Sequence, residues 1–178
     1  MEHIEIKKAS LADLNKLQDI GKQTFCETFS VDNTEEDMEN YLDKSFSIDK
    51  LTSELNNQNS EFYFATLHSK VIGYLKLNYG PAQTEVKDQQ SLEIARIYVS
   101  KEFHGKQVGQ LLYDKVVQIA KQNNLDYLWL GVWEKNLRAI SFYKKNGFVE
   151  FDKHLFKLGN DEQTDIMMKL QLNRKGCY

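Results

Sequence analysis

The stretch from Leu92 to Phe148 constrains the fold more than any other part of the chain. LEIARIYV (92–99) has the content of a buried strand and feeds SKEFHGKQVG (100–109), a turn with two glycines. QLLYDKVVQIAKQNN (110–124) reads as an amphipathic helix, with Val108, Leu111, Leu112, Val116, Ile119 and Ala120 on its core face. DYLWLGVW (126–133) is a second apolar strand. EKNLRAISFYKKNGF (134–148) is framed as a short helix by Asn136, a good N-cap, and by Gly147 just past the last turn. A strand that ends in a glycine-bearing turn at a helix start is a place to hold a phosphate.

The flanking segments fit around this unit. HIEIKKA (3–9) alternates as an opening strand, and Ser10 caps a helix in which Leu11, Leu14, Leu17 and Ile20 recur at helical spacing, with Asp13 as the capping carboxylate. A second helix starts at Thr34, with Glu35, Glu36 and Asp37 where the helix dipole favours anions and Met38, Tyr41 and Leu42 as the buried face. Ser47 caps a third, short helix ending near Leu55. EFYFATL (61–67) and VIGYLKLNYG (71–80) flank the hairpin loop His68-Ser69-Lys70, and PAQTEVKDQQ (81–90) reads as an exposed loop. VEFDKHLFKLG and TDIMMKL are two further strands around Asn160-Asp161-Glu162. The order is β, helices, hairpin, then β-α-β-α-β-β, which is α/β or α+β with a mixed sheet. A single domain over 1–172 is expected, with 173–178 as a frayed tail.

Composition narrows the function. A formal net charge of −3 argues against a nucleic-acid binder and permits a cationic substrate. No run approaches a membrane span and the N-terminus has no apolar signal core, so a soluble, cytoplasmic protein is expected. Cys26 and Cys177 lie far apart without metal-ligand spacing and read as free thiols, and His3, His68 and His154 are scattered, so no metal is expected.

In HGKQVG the residues His104, Gly105, Lys106, Gln107, Val108 and Gly109 supply successive backbone N–H groups at a helix start, and the two glycines leave room for phosphate oxygens. Lys106 near the positive end of a helix costs roughly 0.3–1 kcal/mol, a cost that an anionic ligand reverses. The turn matches neither the Walker loop nor the dinucleotide G-x-G-x-x-G, which demotes ATP, GTP and NAD. Read alone, the turn is equally a plain helix cap, Asn136 a cap and Tyr143 a packed aromatic.

Taken together, the HGKQVG turn and N-x-x-A-x-x-F-Y-x-x-x-G-F, here Asn136, Ala139, Phe142, Tyr143, Gly147 and Phe148, resemble the GCN5-related N-acetyltransferases. The turn departs from the family pattern Arg/Gln-x-x-Gly-x-Gly/Ala at His104 and at Gln107, which replaces the middle glycine. The resemblance implies a central mixed, mostly antiparallel sheet of about seven strands with a splayed parallel pair, 92–99 and 126–133, flanked by helices. It implies acetyl-CoA as cosubstrate, with the backbone of Ile97, Tyr98 and Val99 along the pantetheine, residues 104–109 on the pyrophosphate and Asn136 on the pantetheine arm. Tyr143 is then the proton donor to the leaving thiolate, and Glu93 the candidate base for the amine. By strand alternation Glu93 shares a face with Ala95, Ile97 and Val99, opposite Arg96 and Tyr98, unless a bulge breaks register.

The leading helices, with TFCETFS (24–30) and NTEEDMENYL (33–42), and later WLGVWEKN and FKLGNDEQTD, look most like the bacterial Pai-type spermidine/spermine acetyltransferases. That implies a small amine partner, preferably a polyamine; Glu27, Glu35, Glu36, Asp37 and Glu39 are numerous enough to attract a polycation, although they read first as a solvated acidic helix face. A homodimer is allowed, and neither nucleic acid nor membrane is a partner. The alternatives are acetylation of a protein or peptide amine, and a non-catalytic acyl-CoA sensor.

Overall fold

The computed structural model describes residues 3–172, so the tail expected at 173–178, with Cys177, lies outside the described residues. Seven strands form one sheet: β1 (Ile4–Lys8), β2 (Ser60–Leu67), β3 (Lys70–Tyr79), β4 (Ser91–Val99), β5 (Tyr127–Trp133), β6 (Val149–Leu158) and β7 (Asp161–Gln171). They run in the order β1-β2-β3-β4-β5-β7-β6. β4 and β5 are parallel, and every other neighbouring pair is antiparallel. The mixed sheet is the one expected from the order of segments.

Five helices cover the two faces. α1 (Leu14–Phe29), α2 (Glu35–Ser45) and α3 (Ile48–Asn56) lie on one side, where Leu17, Phe25, Phe29, Met38 and Leu51 pack on Phe62, Phe64, Tyr74, Trp133 and Leu158. α4 (Val108–Gln122) and α5 (Leu137–Lys145) lie on the other, where Leu112, Val116, Ile119, Ile140 and Tyr143 pack on Leu75, Leu77, Leu92, Leu128 and Leu130. Polar side chains fix the helix starts. Thr34 accepts from the Asp37 amide and Ser47 from the Lys50 amide, while Ser10 and Asp13 form a reciprocal capping box at a 3-10 turn that precedes α1. Leu111, expected in the core, is the half-exposed neighbour of buried Leu112.

Two departures from the expected layout shape the site. The β3–β4 ladder runs Gly73–Val99, Tyr74–Tyr98, Leu75–Ile97 and Lys76–Arg96, then jumps to Leu77–Ile94. Ala95 is therefore an extra residue, a β-bulge, and because side chains alternate with period two it reverses every residue before it. Glu93 stands opposite Asn78 and shares the face of Arg96 and Tyr98, not that of Ile97 and Val99. The 81–90 loop, expected to be exposed, is partly inserted. Gln83 is buried and its Oε1 accepts from Trp129 Nε1 at 2.6 Å and from Ser91 Oγ at 2.8 Å. A polar loop can lie inside when each such group finds a partner.

β4 and β5 pair at Ser91–Tyr127, Leu92–Leu128 and Glu93–Trp129 and at no later position among the described residues, although both strands continue. Beyond Glu93 they part, and the gap opens toward the N-terminus of α4.

Candidate active site

The turn that follows β4 aims its free amides at one place. Gly105 and Gln107 take left-handed φ values of 77° and 62°, which tip the chain into α4. The His104 and Lys106 amides are used inside the turn, on the carbonyls of Lys101 and Phe103. Those of Gly105, Gln107, Val108, Gly109 and Gln110 have no partner among the described residues, and all five residues line one cavity of about 860 Å³. Unpaired N–H groups at the positive end of a helix dipole are the elements of an anion site. A Cβ at Gly109 would meet nothing closer than Val99 Cγ2 at 4.0 Å, so the glycine leaves open space, not a packed contact.

Two expected contacts are rearranged. Lys106 does not line the cavity, since its ammonium sits 5.0 Å over the Phe103 ring. His104 Nε2 lies 2.8 Å from the Val99 carbonyl, which thereby has one acceptor position taken, and burial pulls the imidazole below its usual pKa and favours the neutral, donating form. Glu27 closes the turn from α1, accepting from the Lys101 amide at 2.8 Å and from Gln23 at 2.9 Å.

The long cavity follows the gap past Ile97, Tyr98 and Val99 to α5. There Asn136 caps the helix with Oδ1, accepting from the Ala139 amide at 3.2 Å, and its Nδ2 has no partner among the described residues. Tyr143 is 5% exposed, with Phe142 and Phe148 edge-on to its ring. Its hydroxyl makes no hydrogen bond among the described residues, and burial pushes its pKa well above that of a free phenol, so it is protonated at neutral pH.

A second cavity, of about 170 Å³, opens on the α1–α3 face. It shares Ile97, Tyr98, Trp133, Asn136, Ala139 and Tyr143 with the first, so the two adjoin along these six residues. Its walls are aromatic: Phe25, Phe29, Tyr41, Phe46 and Phe156 join Trp133. Arg96 forms part of the floor and pairs in bidentate fashion with Glu54 at 3.0 and 3.2 Å, and Lys76 reaches the same carboxylate at 3.1 Å. Asp165, on β7 directly opposite Trp133, is the carboxylate in the lining. Burial raises its pKa to about 6, partly offset by His154 across the β6–β7 ladder. No sequence motif marks Asp165, which a strand carries to the site from far along the chain.

Glu93 is 4% exposed and lines neither cavity. Its carboxylate accepts from Asn78 Nδ2 at 3.1 Å, from the Thr84 amide at 2.9 Å and from Thr84 Oγ1 at 2.7 Å. It stands on the face of Arg96 and Tyr98, at the closed end of the gap. Glu35, Glu36, Asp37 and Glu39 of α2 also line neither cavity, and the helix dipole accounts for the first three. No group of three or more His, Cys, Asp or Glu suited to a metal occurs among the described residues, and no helix among them is long and apolar enough to cross a membrane.

Comparison with known proteins agrees with this geometry. Residues 22–148 match the model of the acetyltransferase (GNAT) family. An uncharacterized N-acetyltransferase from the pepI 3′ region of Lactobacillus delbrueckii subsp. lactis is 40% identical over 172 residues, 97% of this chain and 99% of the relative. The spermidine N(1)-acetyltransferase of Thermoplasma acidophilum is 28% identical, covering 93% of this chain and 96% of its own length. The crystal structure of the paia N-acetyltransferase from that organism, in complex with coenzyme A, superposes with a TM-score of 0.79 at 26% identity over 96% of this chain and 99% of its own. The free amides and the open gap suit the pyrophosphate and amide groups of coenzyme A, the cosubstrate of such enzymes. With a family match across most of its length and a relative 40% identical over nearly the whole chain, the chain belongs to the GNAT family of acetyl-CoA-dependent N-acetyltransferases.

Proposed function

We propose that this N-acetyltransferase passes the acetyl group directly to a primary amine, with a polyamine such as spermidine or spermine as preferred acceptor. The observation that supports the proposal is that the two cavities share a wall of six residues, Tyr143 among them, so that ligands in the two can approach each other there. The aromatic walls favour a cation on a methylene chain, since ammonium groups are attracted to ring faces and the chain buries apolar area. The Thermoplasma spermidine acetyltransferase supports the same acceptor class.

Each residue then has a defined task. The free amides from Gly105 to Gln110 hold the pyrophosphate, and the strand backbone at Ile97 and Val99 pairs with the pantetheine as an added strand does. Asn136 offers Nδ2 to the pantetheine arm while Oδ1 keeps α5 in place. Tyr143 holds a proton at Oη for the departing sulfur, and its burial among aromatics keeps that proton in place until negative charge develops beside it.

The test is thiol release from acetyl-CoA against spermidine, spermine, lysine peptides and aminoglycosides, with products identified by mass spectrometry. Polyamines are expected to give the highest kcat/KM, with intersecting initial-rate lines because both ligands are bound at once. Acetylated peptides without acetylated polyamine would overturn the acceptor assignment.

A further inference from the structure

We propose, resting on the amine-acceptor reading above, that Asp165 receives the ammonium group of the acceptor and takes its proton. Four observations converge on it. Asp165 lines the small cavity, as Tyr143 does. It is half-buried, yet its carboxylate accepts no hydrogen bond and forms no ion pair among the described residues. Gly131 clears the space before it: a Cβ there would lie 3.6 Å from Asp165 Oδ2, and any longer side chain would fill the approach. Three nearby carboxylates are engaged, Glu54 by Arg96 and Lys76, Glu93 by Asn78 and Thr84, Glu27 by Lys101 and Gln23, and Asp32 lines only the larger cavity.

An ammonium entering between Trp133, Tyr41 and Phe156 thus meets one unpartnered carboxylate. The proton moves from nitrogen to Asp165, leaving a neutral amine. The nitrogen lone pair forms the new C–N bond as the C–S bond breaks. The sulfur takes a proton from Tyr143, the new amide nitrogen returns one to Tyr143, and Asp165 releases its proton to solvent. Per turnover, one ammonium and one thioester give one amide, one thiol and one proton.

The groups facing Asp165 set its pH range. His154 stands opposite on β6, with Nδ1 3.1 Å from Glu85 Oε1; Tyr41 faces it from α2; Arg96 shares the cavity from β4; Trp133 and Gly131 of β5 carry no charge. Burial penalises the carboxylate and the His154 charge lowers its pKa, giving a midpoint of about 6, so the base is lost as pH falls through that value.

The experiment is kcat/KM for spermidine from pH 5 to 10 in wild type and Asp165→Asn, with coenzyme A affinity and melting temperature measured on both. The expected result is a loss of about 100-fold at pH 7 in the variant, disappearance of the acidic limb near pH 6, and unchanged coenzyme A affinity. The defect should also shrink toward pH 10, where solution supplies the neutral amine, a dependence that a packing role does not produce. Asp165→Ser should reproduce this if Asp165→Asn is poorly folded. A wild type that acetylates spermidine alongside variants with equal rates and the same acidic limb overturns this inference alone. A wild type that acetylates no amine overturns the acceptor reading and the inference with it.

Discussion

Lys76→Met is expected to stabilise the protein, although it removes an ion pair. Lys76 is 8% exposed and shares the single carboxylate of Glu54 with Arg96, which already occupies both oxygens. Burial, and then the charge of Arg96, lower the lysine from 10.5 to about 8. At roughly 1.4 kcal/mol per pKa unit, keeping it charged at pH 7 costs about 3 kcal/mol. Methionine retains the stem and its packing near Phe62, and Glu54 keeps Arg96. After loss of the Lys76–Glu54 hydrogen bond, a net gain of about 1–3 kcal/mol remains, in line with buried charges replaced by apolar side chains. With about 2.1 cal/mol/K per residue over 178 residues, that raises the melting temperature by about 3–8 °C. The pH dependence gives the sign an independent check. The folded pKa is depressed, so the unfolded chain binds more protons between about pH 8 and 10.5. The wild-type penalty is full below pH 8 and fades as pH rises, whereas the variant lacks this rise. Melts followed by circular dichroism from pH 7 to 10 measure both effects. A variant that melts below wild type at pH 7 would refute the claim that Glu54 is shared by one cation too many.

Tyr143→Phe removes a hydroxyl without a partner, so melting temperature and coenzyme A affinity should hold while kcat falls by about 100-fold or more, read by stopped thiol-release assays. Unchanged kcat would end the proton-donor role. Gly109→Ala should separate folding from binding. Gly109 is the second residue of α4, where the methyl has room and the melting temperature should hold, while coenzyme A affinity by calorimetry should weaken because the methyl would stand where the proposed phosphate oxygens approach. Equal affinity in both proteins would refute a phosphate-binding role for Gly109.

What could be read from the chain depended on how local its cause was. The caps at Ser10, Thr34, Ser47 and Asn136 were legible because a side chain three residues from its partner amide decides them. So was the turn into α4, although Gln107 holds a left-handed φ that glycine adopts at no cost. The facing of Glu93 was not, because the Ala95 bulge is fixed by pairing with β3 and nothing in LEIARIYV announces it. Nor was the insertion of Gln83, whose partner Trp129 lies 46 positions away. Asp165 was invisible for the same reason: its importance comes from facing Gly131 and Trp133 across a strand pair, which no spacing along the chain encodes.

The early parting of β4 and β5 has a consequence for how long the enzyme survives. A sheet opened in its middle exposes two inner rims of main-chain groups that a ligand can satisfy. On the proposed binding mode, any molecule carrying the coenzyme A skeleton would act as a missing strand, whether or not it bears an acetyl group. Occupancy at a hundredfold excess over Kd adds about 2.7 kcal/mol to the folded state. On that reading, resistance to heat and proteolysis should rise with coenzyme A concentration, and depletion of coenzyme A should remove structural support as well as substrate.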